Sequence, residues 1–292
     1  MKILFIGNVE LSNAILKTLI TLKCDIIGVV TTKGSRYNSD FVDLSEICHL
    51  NDIPIHYTIR VNSIKTYKWI KKKSPDYIFC FGWSQILNSK ILKIPKESTI
   101  GYHPSKLPEF RGRHPIIWSI ILNLKETAST FFLINEKIDD GPIINQKKIT
   151  ISRNEDSRSL YLKIINVSKK QIREIINQIY KNKLKVVRQS KNKKTLLRKR
   201  NIEDGKIDWR MNAESISRLV RALNKPYPGA YFTYKNKIFN VWKLKVIKNK
   251  KKIEPGKILS INDGYIDIKC EDAAIRLVSF TPNYLFKENT YL

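Results

Sequence analysis

The first hundred residues alternate short β-branched runs with amphipathic stretches, and this alternation is what most restricts the fold. Residues 25–31 (DIIGVVT) form a near-continuous run of apolar side chains, the pattern of a strand buried on both faces. Residues 2–7, 53–57, 76–82 (DYIFCFG) and 99–103 read as further strands. Between them, Leu11, Ile15, Leu19 and Leu22 fall at helical spacing, and helices are expected near 41–51, 63–73 and 89–94. Strands separated by helices in this order predict an α/β domain with a doubly wound, Rossmann-like parallel sheet. Such a sheet takes its ligands at the carboxyl ends of the strands.

A helix opens at 116–122 after Pro115, and strands are expected at 129–134 and 143–151, joined through the turn Asp139-Asp140-Gly141-Pro142. Residues 157–180 carry apolar side chains at Leu160, Ile164, Val167, Ile172, Ile175, Ile176 and Ile179, one face of a long helix. Residues 181–200 then hold ten Lys/Arg and no acid. They read as an exposed basic linker, a solvated connector or a loop that contacts phosphate or RNA. After a helix at 213–223 come five strand-like segments (230–234, 237–247, 256–261, 264–270 and 274–279) with a turn signal at Asn262-Asp263-Gly264. Short strands with such turns suggest a small C-terminal β-barrel of OB-like type. The expected division is a catalytic domain over 1–180, the linker over 181–204 and the barrel over 205–292.

Composition narrows the function less than the pattern narrows the fold. No stretch approaches the roughly 20 apolar residues of a membrane span. The opening MKILFIGNVELSNAIL looks superficially like a signal peptide, but the run breaks at Gly7-Asn8-Val9-Glu10 and reads as a first strand. Cys24, Cys48, Cys80 and Cys270 have no metal spacing and suit buried thiols in a reducing cytoplasm. The net charge of +28 attracts phosphates, in RNA, sugar nucleotides or lipid headgroups. With only seven alanines and an excess of Asn, Ile and Tyr, the chain has the bias of an AT-rich genome, which raises Lys without functional demand.

Three features converge on strand ends. His103 closes the strand at 99–103 and runs into Pro-Ser-Lys-Leu-Pro-Glu-Phe-Arg-Gly-Arg-His-Pro, whose prolines stiffen a loop holding Arg111 and Arg113. Asp139-Asp140-Gly141 sets two carboxylates in a turn after a buried strand. Phe81-Gly82-Trp83-Ser84-Gln85 is another strand-end loop, in which Gly82 allows close approach to a ligand. A histidine in a loop, an Asp-Asp-Gly turn and a basic loop each have a purely structural explanation; their shared position is what points to a site. His49, His56 and His114 show no partner pattern.

These residues resemble a known family. HPSKLPEFRGRHPIIW at 103–118 resembles the signature loop of the folate-dependent formyltransferases, and Asp139-Asp140-Gly141 matches that family's Asp-x-Gly turn. Residues 200–232 (RNIEDGKIDWRMNAESISRLVRALNKPYPGAYF) look like the junction and first element of its C-terminal barrel. The resemblance implies transfer of a formyl group from 10-formyltetrahydrofolate to an amine, with no metal. It makes His103 the general base or proton shuttle and Asp139 the carboxylate that orients it, the roles of Asp139 and Asp140 being exchangeable on sequence alone. Gly82, Trp83, Ile86, Leu87, Asp139, Asp140 and Gly141 are implied to hold the pterin. One position departs: the family usually has Asn two residues before the histidine as an oxyanion donor, and here it is Gly101. Tyr102 points to the opposite strand face. Gln85 or a bound water is expected as the substitute donor.

The amine is read from the loop. Arg111-Gly112-Arg113-His114-Pro115 with Trp118 resembles the branch acting on nucleotide-linked amino sugars, where the methionyl-tRNA branch usually reads Arg-Gly-Ala-Ala-Pro. Ser105, Arg111, Gly112, Arg113 and Tyr227 are the expected substrate residues, the guanidiniums suiting a diphosphate. Tyr227, Tyr231 and Trp209 either stack on a base or belong to a core. A dTDP- or UDP-amino-deoxysugar destined for cell-surface glycan (lipopolysaccharide) is the leading substrate. Charged tRNA is the alternative, and a non-catalytic nucleotide- or RNA-binding relative the third reading. A cytoplasmic location without membrane partner is expected, with monomer and homodimer both open.

Overall fold

Each β-branched run near the start forms a strand and each amphipathic stretch between them a helix. In chain order the elements are β1 (Lys2–Ile6), α1 (Glu10–Thr21), β2 (Asp25–Thr31), α2 (Ser45–His49), β3 (Ile55–Tyr57), α3 (Ile64–Lys73) and β4 (Tyr77–Cys80). Then come α4 (Ser89–Leu92), β5 (Ser98–His103), β6 (Arg111–Gly112), α5 (Pro115–Ile121), β7 (Glu126–Leu133), β8 (Ile143–Thr150) and α6 (Ser157–Tyr180). The last are β9 (Leu196–Leu197), α7 (Ala213–Ala222), β10 (Ala230–Tyr234), β11 (Lys237–Ile247), β12 (Ile258–Asn262), β13 (Tyr265–Lys269) and β14 (Ala274–Thr281). The computed structural model describes residues 1–34, 39–191, 193–262 and 264–292, so Asp263 of the expected 262–264 turn lies outside the described residues.

The chain divides into two compact units, the first being Met1–Pro115, Glu126–Thr150 and Leu162–Leu197. It carries a seven-stranded sheet in the order β3-β2-β1-β4-β5-β7-β8. β3, β2, β1, β4 and β5 are parallel neighbours, while β7 and β8 run antiparallel. The strand order reverses direction between β1 and β4, the point at which doubly wound sheets open a ligand crevice. Ile3, Leu4, Phe5 and Ile6 of β1 have no exposed surface, which is why that strand reads as an unbroken apolar run. α1 buries Leu11, Ile15, Leu16 and Leu19, and its Ser12 hydroxyl donates to the Phe81 carbonyl at 2.6 Å, tying the helix start to the end of β4. On α6, the buried Gln171 amide donates to Ser129 O at 3.0 Å and Asn145 Oδ1 at 2.9 Å, docking the helix on β7 and β8.

The second unit comprises Ile116–Lys125, Ile151–Tyr161 and Arg198–Leu292. Its five strands form one antiparallel sheet, β10-β11-β14-β13-β12. Phe232 and Phe239 stack at 5.2 Å in its core, and Trp209 meets Phe232 edge-on at 5.5 Å. Trp209 and Tyr231 are both buried, so of the two roles open to them the core role is the one they fill. Tyr227 sits half-buried in the turn before β10, its backbone N–H donating to Asn224 O at 3.1 Å.

The basic stretch after α6 differs from a solvated connector. Its lysines face solvent, but its backbone is fastened to the first unit. Val187 and Ile143 exchange two backbone hydrogen bonds of 2.8 Å, and Leu196–Leu197 pair in parallel with Arg111–Gly112. Charge masked this: backbone pairing needs no apolar side chains, so the run showed no periodicity to read. Among the described residues no helix is long and apolar enough to cross a membrane. The four cysteines are free and buried, and burial pushes the Cys80 thiol up to about 12 and the Cys48 thiol up to about 11.

Candidate active site

β5 ends on His103, and the loop between β7 and β8 returns Asp139 to it. The ring is buried, with Nδ1 3.5 Å from Asp139 Oδ2 and Nε2 2.9 Å from the Phe110 carbonyl. A carbonyl accepts and cannot donate, so the hydrogen of the neutral ring is assigned to Nε2, leaving the Nδ1 lone pair toward Asp139. Asp139 Oδ2 also accepts from the Gly112 backbone N–H at 2.9 Å. Asp139 holds a left-handed φ of 48°, a conformation that costs a residue other than glycine about 1–3 kcal/mol and persists where surroundings impose it. The neighbouring carboxylate behaves differently: Asp140 Oδ1 pairs with Arg111 Nη1.

The loop after His103 is held rather than open. Ser105 is fully buried, and its hydroxyl donates to Glu109 O at 3.1 Å, so this expected substrate residue braces the loop from within. Arg111, expected at a diphosphate, is instead buried. Besides Asp140, its Nε and Nη2 donate to Gln189 Oε1 at 3.2 and 2.7 Å. Gly112 has φ of 101°, and a Cβ there would come within 2.5 Å of Leu197 O, so only glycine lets β6 and β9 meet. Arg113 is half-buried and spends Nη1 on Ser84 O at 3.0 Å. Of the two guanidiniums, Arg113 keeps more of its donors for a ligand.

Gly82, Trp83, Gln85, Ile86 and Leu87 follow β4, beside an apolar cluster of Leu4, Ile6, Cys80, Leu87 and Ile91. Trp83 packs on that cluster with its indole Nε1 buried and without an acceptor among the described residues. A buried donor left unmatched is costly, and a ligand acceptor removes the cost. Leu87 is buried, whereas Ile86 is exposed and its carbonyl accepts from Asn62 Nδ2 at 2.8 Å. Gln85, expected as the substitute oxyanion donor, gives Nε2 to Ile59 O at 2.9 Å and takes the Val61 N–H on Oε1 at 3.1 Å. Its amide thus ties residues 59–61 to the strand-end loop.

Gly101 lies within the sheet, two residues before the histidine. A Cβ built there would meet Ile134 Cγ1 at 2.6 Å and Phe132 Cζ at 3.0 Å. Tyr102 faces away, its hydroxyl 2.7 Å from Ser129 Oγ and its ring 4.8 Å edge-on to Phe131. Burial raises its pKa above the ordinary tyrosine range. Among the described residues no group of three or more His, Cys, Asp or Glu side chains could hold a metal ion.

Two residues of this network carry no signal in the sequence. Gln189 donates Nε2 to the carbonyls of Asp139 at 2.8 Å and Gly141 at 2.7 Å, besides accepting from Arg111. Thr195 Oγ1 accepts the Phe110 N–H at 2.7 Å. Both lie in the basic stretch, where no spacing marks an amide or a hydroxyl as special.

Family models match almost the whole chain, one described as "Formyl transferase" over residues 1–202 and one as "Formyl transferase, C-terminal domain" over residues 200–283. The bifunctional polymyxin resistance protein ArnA of Wigglesworthia glossinidia brevipalpis is 32% identical over 292 residues. The match takes 99% of this chain but 44% of that relative, so the chain spans less than half of its length. A methionyl-tRNA formyltransferase of Caldanaerobacter subterraneus subsp. tengcongensis is 30% identical over 283 residues, 95% of this chain and 91% of its own. WlaRD, a sugar 3N-formyl transferase solved in the presence of dTDP and 5-N-formyl-THF, superposes with a TM-score of 0.72 at 19% identity, over 97% of this chain and 99% of its own. At that identity the likeness is one of fold.

Proposed function

This chain belongs to the formyl transferase family, and we propose that it moves the formyl group of 10-formyltetrahydrofolate onto the amine of a nucleotide-linked amino sugar. The observation that carries the reading is His103 Nδ1 at 3.5 Å from Asp139 Oδ2. An amine that attacks a formyl carbon must shed a proton. The Phe110 carbonyl holds Nε2–H, so the lone pair able to take that proton is Nδ1. Once protonated, the ring donates on one side to a carbonyl and on the other faces a carboxylate, which supports its charge.

The folate supplies the formyl carbon. The stretch from Gly82 to Leu87 and the turn at Asp139–Gly141 suit its pterin, and the unmatched Trp83 N–H offers a hydrogen bond inside that wall. The diphosphate falls to Arg113, since Arg111 is engaged with Asp140 and Gln189.

A second reading, methionyl-tRNA as acceptor, is favoured by relatives of that name at 28–30% identity and by the exposed lysines of the basic stretch. One experiment separates them. The protein is given 10-formyltetrahydrofolate with dTDP- and UDP-linked amino sugars and, in parallel, with charged initiator tRNA, and formamide is detected by mass. Product on a sugar nucleotide alone supports the proposal. Product on tRNA alone replaces it with the second reading, and binding without product leaves a non-catalytic relative.

A further inference from the structure

The turn that carries Asp139 is unfavourable by itself. Residue 139 has a left-handed φ, and Gly141 has no room for a side chain because a Cβ there would lie 1.6 Å from Leu133 O. Asp140, between them, turns its carboxylate to Arg111. Such a turn keeps one shape only where neighbours fix it. The fixing comes from the basic stretch after α6. Gln189 Nε2 bridges the carbonyls at both ends of the turn, 2.8 Å from Asp139 O and 2.7 Å from Gly141 O. Its Oε1 accepts from Arg111 Nε and Nη2, and Arg111 precedes the residue whose N–H binds the Asp139 carboxylate. One amide therefore ties the turn to the loop that follows His103.

The same stretch holds that loop along its backbone. Arg111 N–H donates to Thr195 O at 3.0 Å, Arg113 N–H to Leu197 O at 3.1 Å, and Phe110 N–H to Thr195 Oγ1 at 2.7 Å. Phe110 supplies the carbonyl on His103 Nε2. Both neighbours of the imidazole, the carboxylate and the carbonyl, thus hang from Gln189, Thr195 and Leu197. The lysines of this stretch face solvent, and Gln189 and Thr195 turn inward to the site.

We propose that Gln189 is a positioning residue for formyl transfer, clamping the Asp139–Gly141 turn so that the Asp139 carboxylate faces His103. This rests on the reading of His103 and Asp139 as the proton-handling pair. A carboxylate displaced by about 1 Å loses its hold on the ring, and misplacements of that size cost up to about 100-fold in rate.

The test compares the full chain with Gln189→Ala, Gln189→Glu and, as an exposed control in the same stretch, Lys191→Ala. Gln189→Ala lowers kcat about 10- to 100-fold and leaves KM for the amino substrate within about twofold. Gln189→Glu can still accept from Arg111 but offers the two carbonyls no donor, so it follows Gln189→Ala and carries the test should the alanine variant not fold. Lys191→Ala matches the parent. Independently of turnover, the ¹⁵N resonances of the His103 ring are recorded at one pH and assigned by their loss in His103→Gln; the chain has four histidines. The Nδ1 resonance moves in both Gln189 variants. If these variants melt lower yet keep the parent's ring resonances and kcat per folded molecule, Gln189 is a brace and the proposal is overturned. If the parent forms no formamide on any amine, the functional reading fails, and the ring resonances alone decide the positioning.

Discussion

The Ile134 side chain stands where a side chain on Gly101 would have to go, with Cγ1 2.6 Å from the position of a Cβ at residue 101. Ile134 packs in turn on the cluster formed by Leu4, Ile6, Cys80 and Leu87. The asparagine that the family resemblance implies at this position therefore cannot be introduced by one substitution. Gly101→Asn overpacks the sheet and lowers stability by about 1–3 kcal/mol, read from urea denaturation, with no gain in turnover. Adding Ile134→Ala makes room, and the double variant exceeds the kcat of Ile134→Ala by at least about tenfold, a fraction of what one oxyanion donor is worth. Equal rates for those two variants would show that an amide at 101 meets no oxyanion.

The two carboxylates of the turn separate by their partners. Asp139 faces His103 and accepts from Gly112 N–H, while Asp140 neutralises the buried Arg111. Asp139→Asn keeps an acceptor for Gly112 but removes the charge beside the ring, so kcat falls about 100-fold or more while the urea midpoint stays near the parent's. Asp140→Asn strands a buried guanidinium and costs about 1–3 kcal/mol of stability. A stable but inactive Asp140→Asn beside an active Asp139→Asn would reverse the assignment.

Arg111 and Arg113 divide in the same way. Arg113→Ala raises KM for a nucleotide-linked substrate about 10- to 100-fold, with kcat and melting temperature near the parent's, because among the described residues its guanidinium bonds only Ser84 O. Arg111→Ala lowers the melting temperature, since it leaves Asp140 and Gln189 without their shared cation. Substrate saturation curves and thermal melts on both variants check this; a KM effect confined to Arg111→Ala would move the diphosphate to the other guanidinium.

The parts of this arrangement legible in the sequence were those with local causes. A β-branched run such as residues 25–31 marks a buried strand wherever it occurs, and His103 sits on a strand end that the pattern locates. Sequence also marked a turn at Asp139–Gly141, because Asp, Gly and Pro are turn-forming residues, but not the one shape in which Gln189 holds it. What it could not carry were contacts made only after the chain closes. Arg111 and Arg113 are equivalent in the string, and Asp140 and Gln189 make them different. Gln189 sits in a run whose charge suggested solvent, and its partners lie 48 to 78 residues away. The consequence of Gly101 was hidden likewise, since Ile134 reaches it from the end of the neighbouring strand, 33 residues on.

His56 shows how such a closed contact is tested by pH. Its ring is buried in β3, stacked on Trp69 at 5.1 Å, with Nε2 3.0 Å from Thr66 Oγ1. Burial, and secondarily the charge of Lys65, holds its pKa below the ordinary 6.5. The unfolded chain therefore binds a proton at this residue near pH 6.5, while the folded chain waits for more acidic solution. As pH falls below about 6.5 the unfolded state gains protons that the folded state lacks, and stability declines until the folded pKa is passed. Above that pH the residue adds no slope. Urea midpoints of the parent should thus fall between about pH 7.5 and 5.5, and those of His56→Gln should fall less, the other three histidines being common to both. Parallel curves for the two proteins would mean that the ring takes up its proton as readily in the fold as outside it.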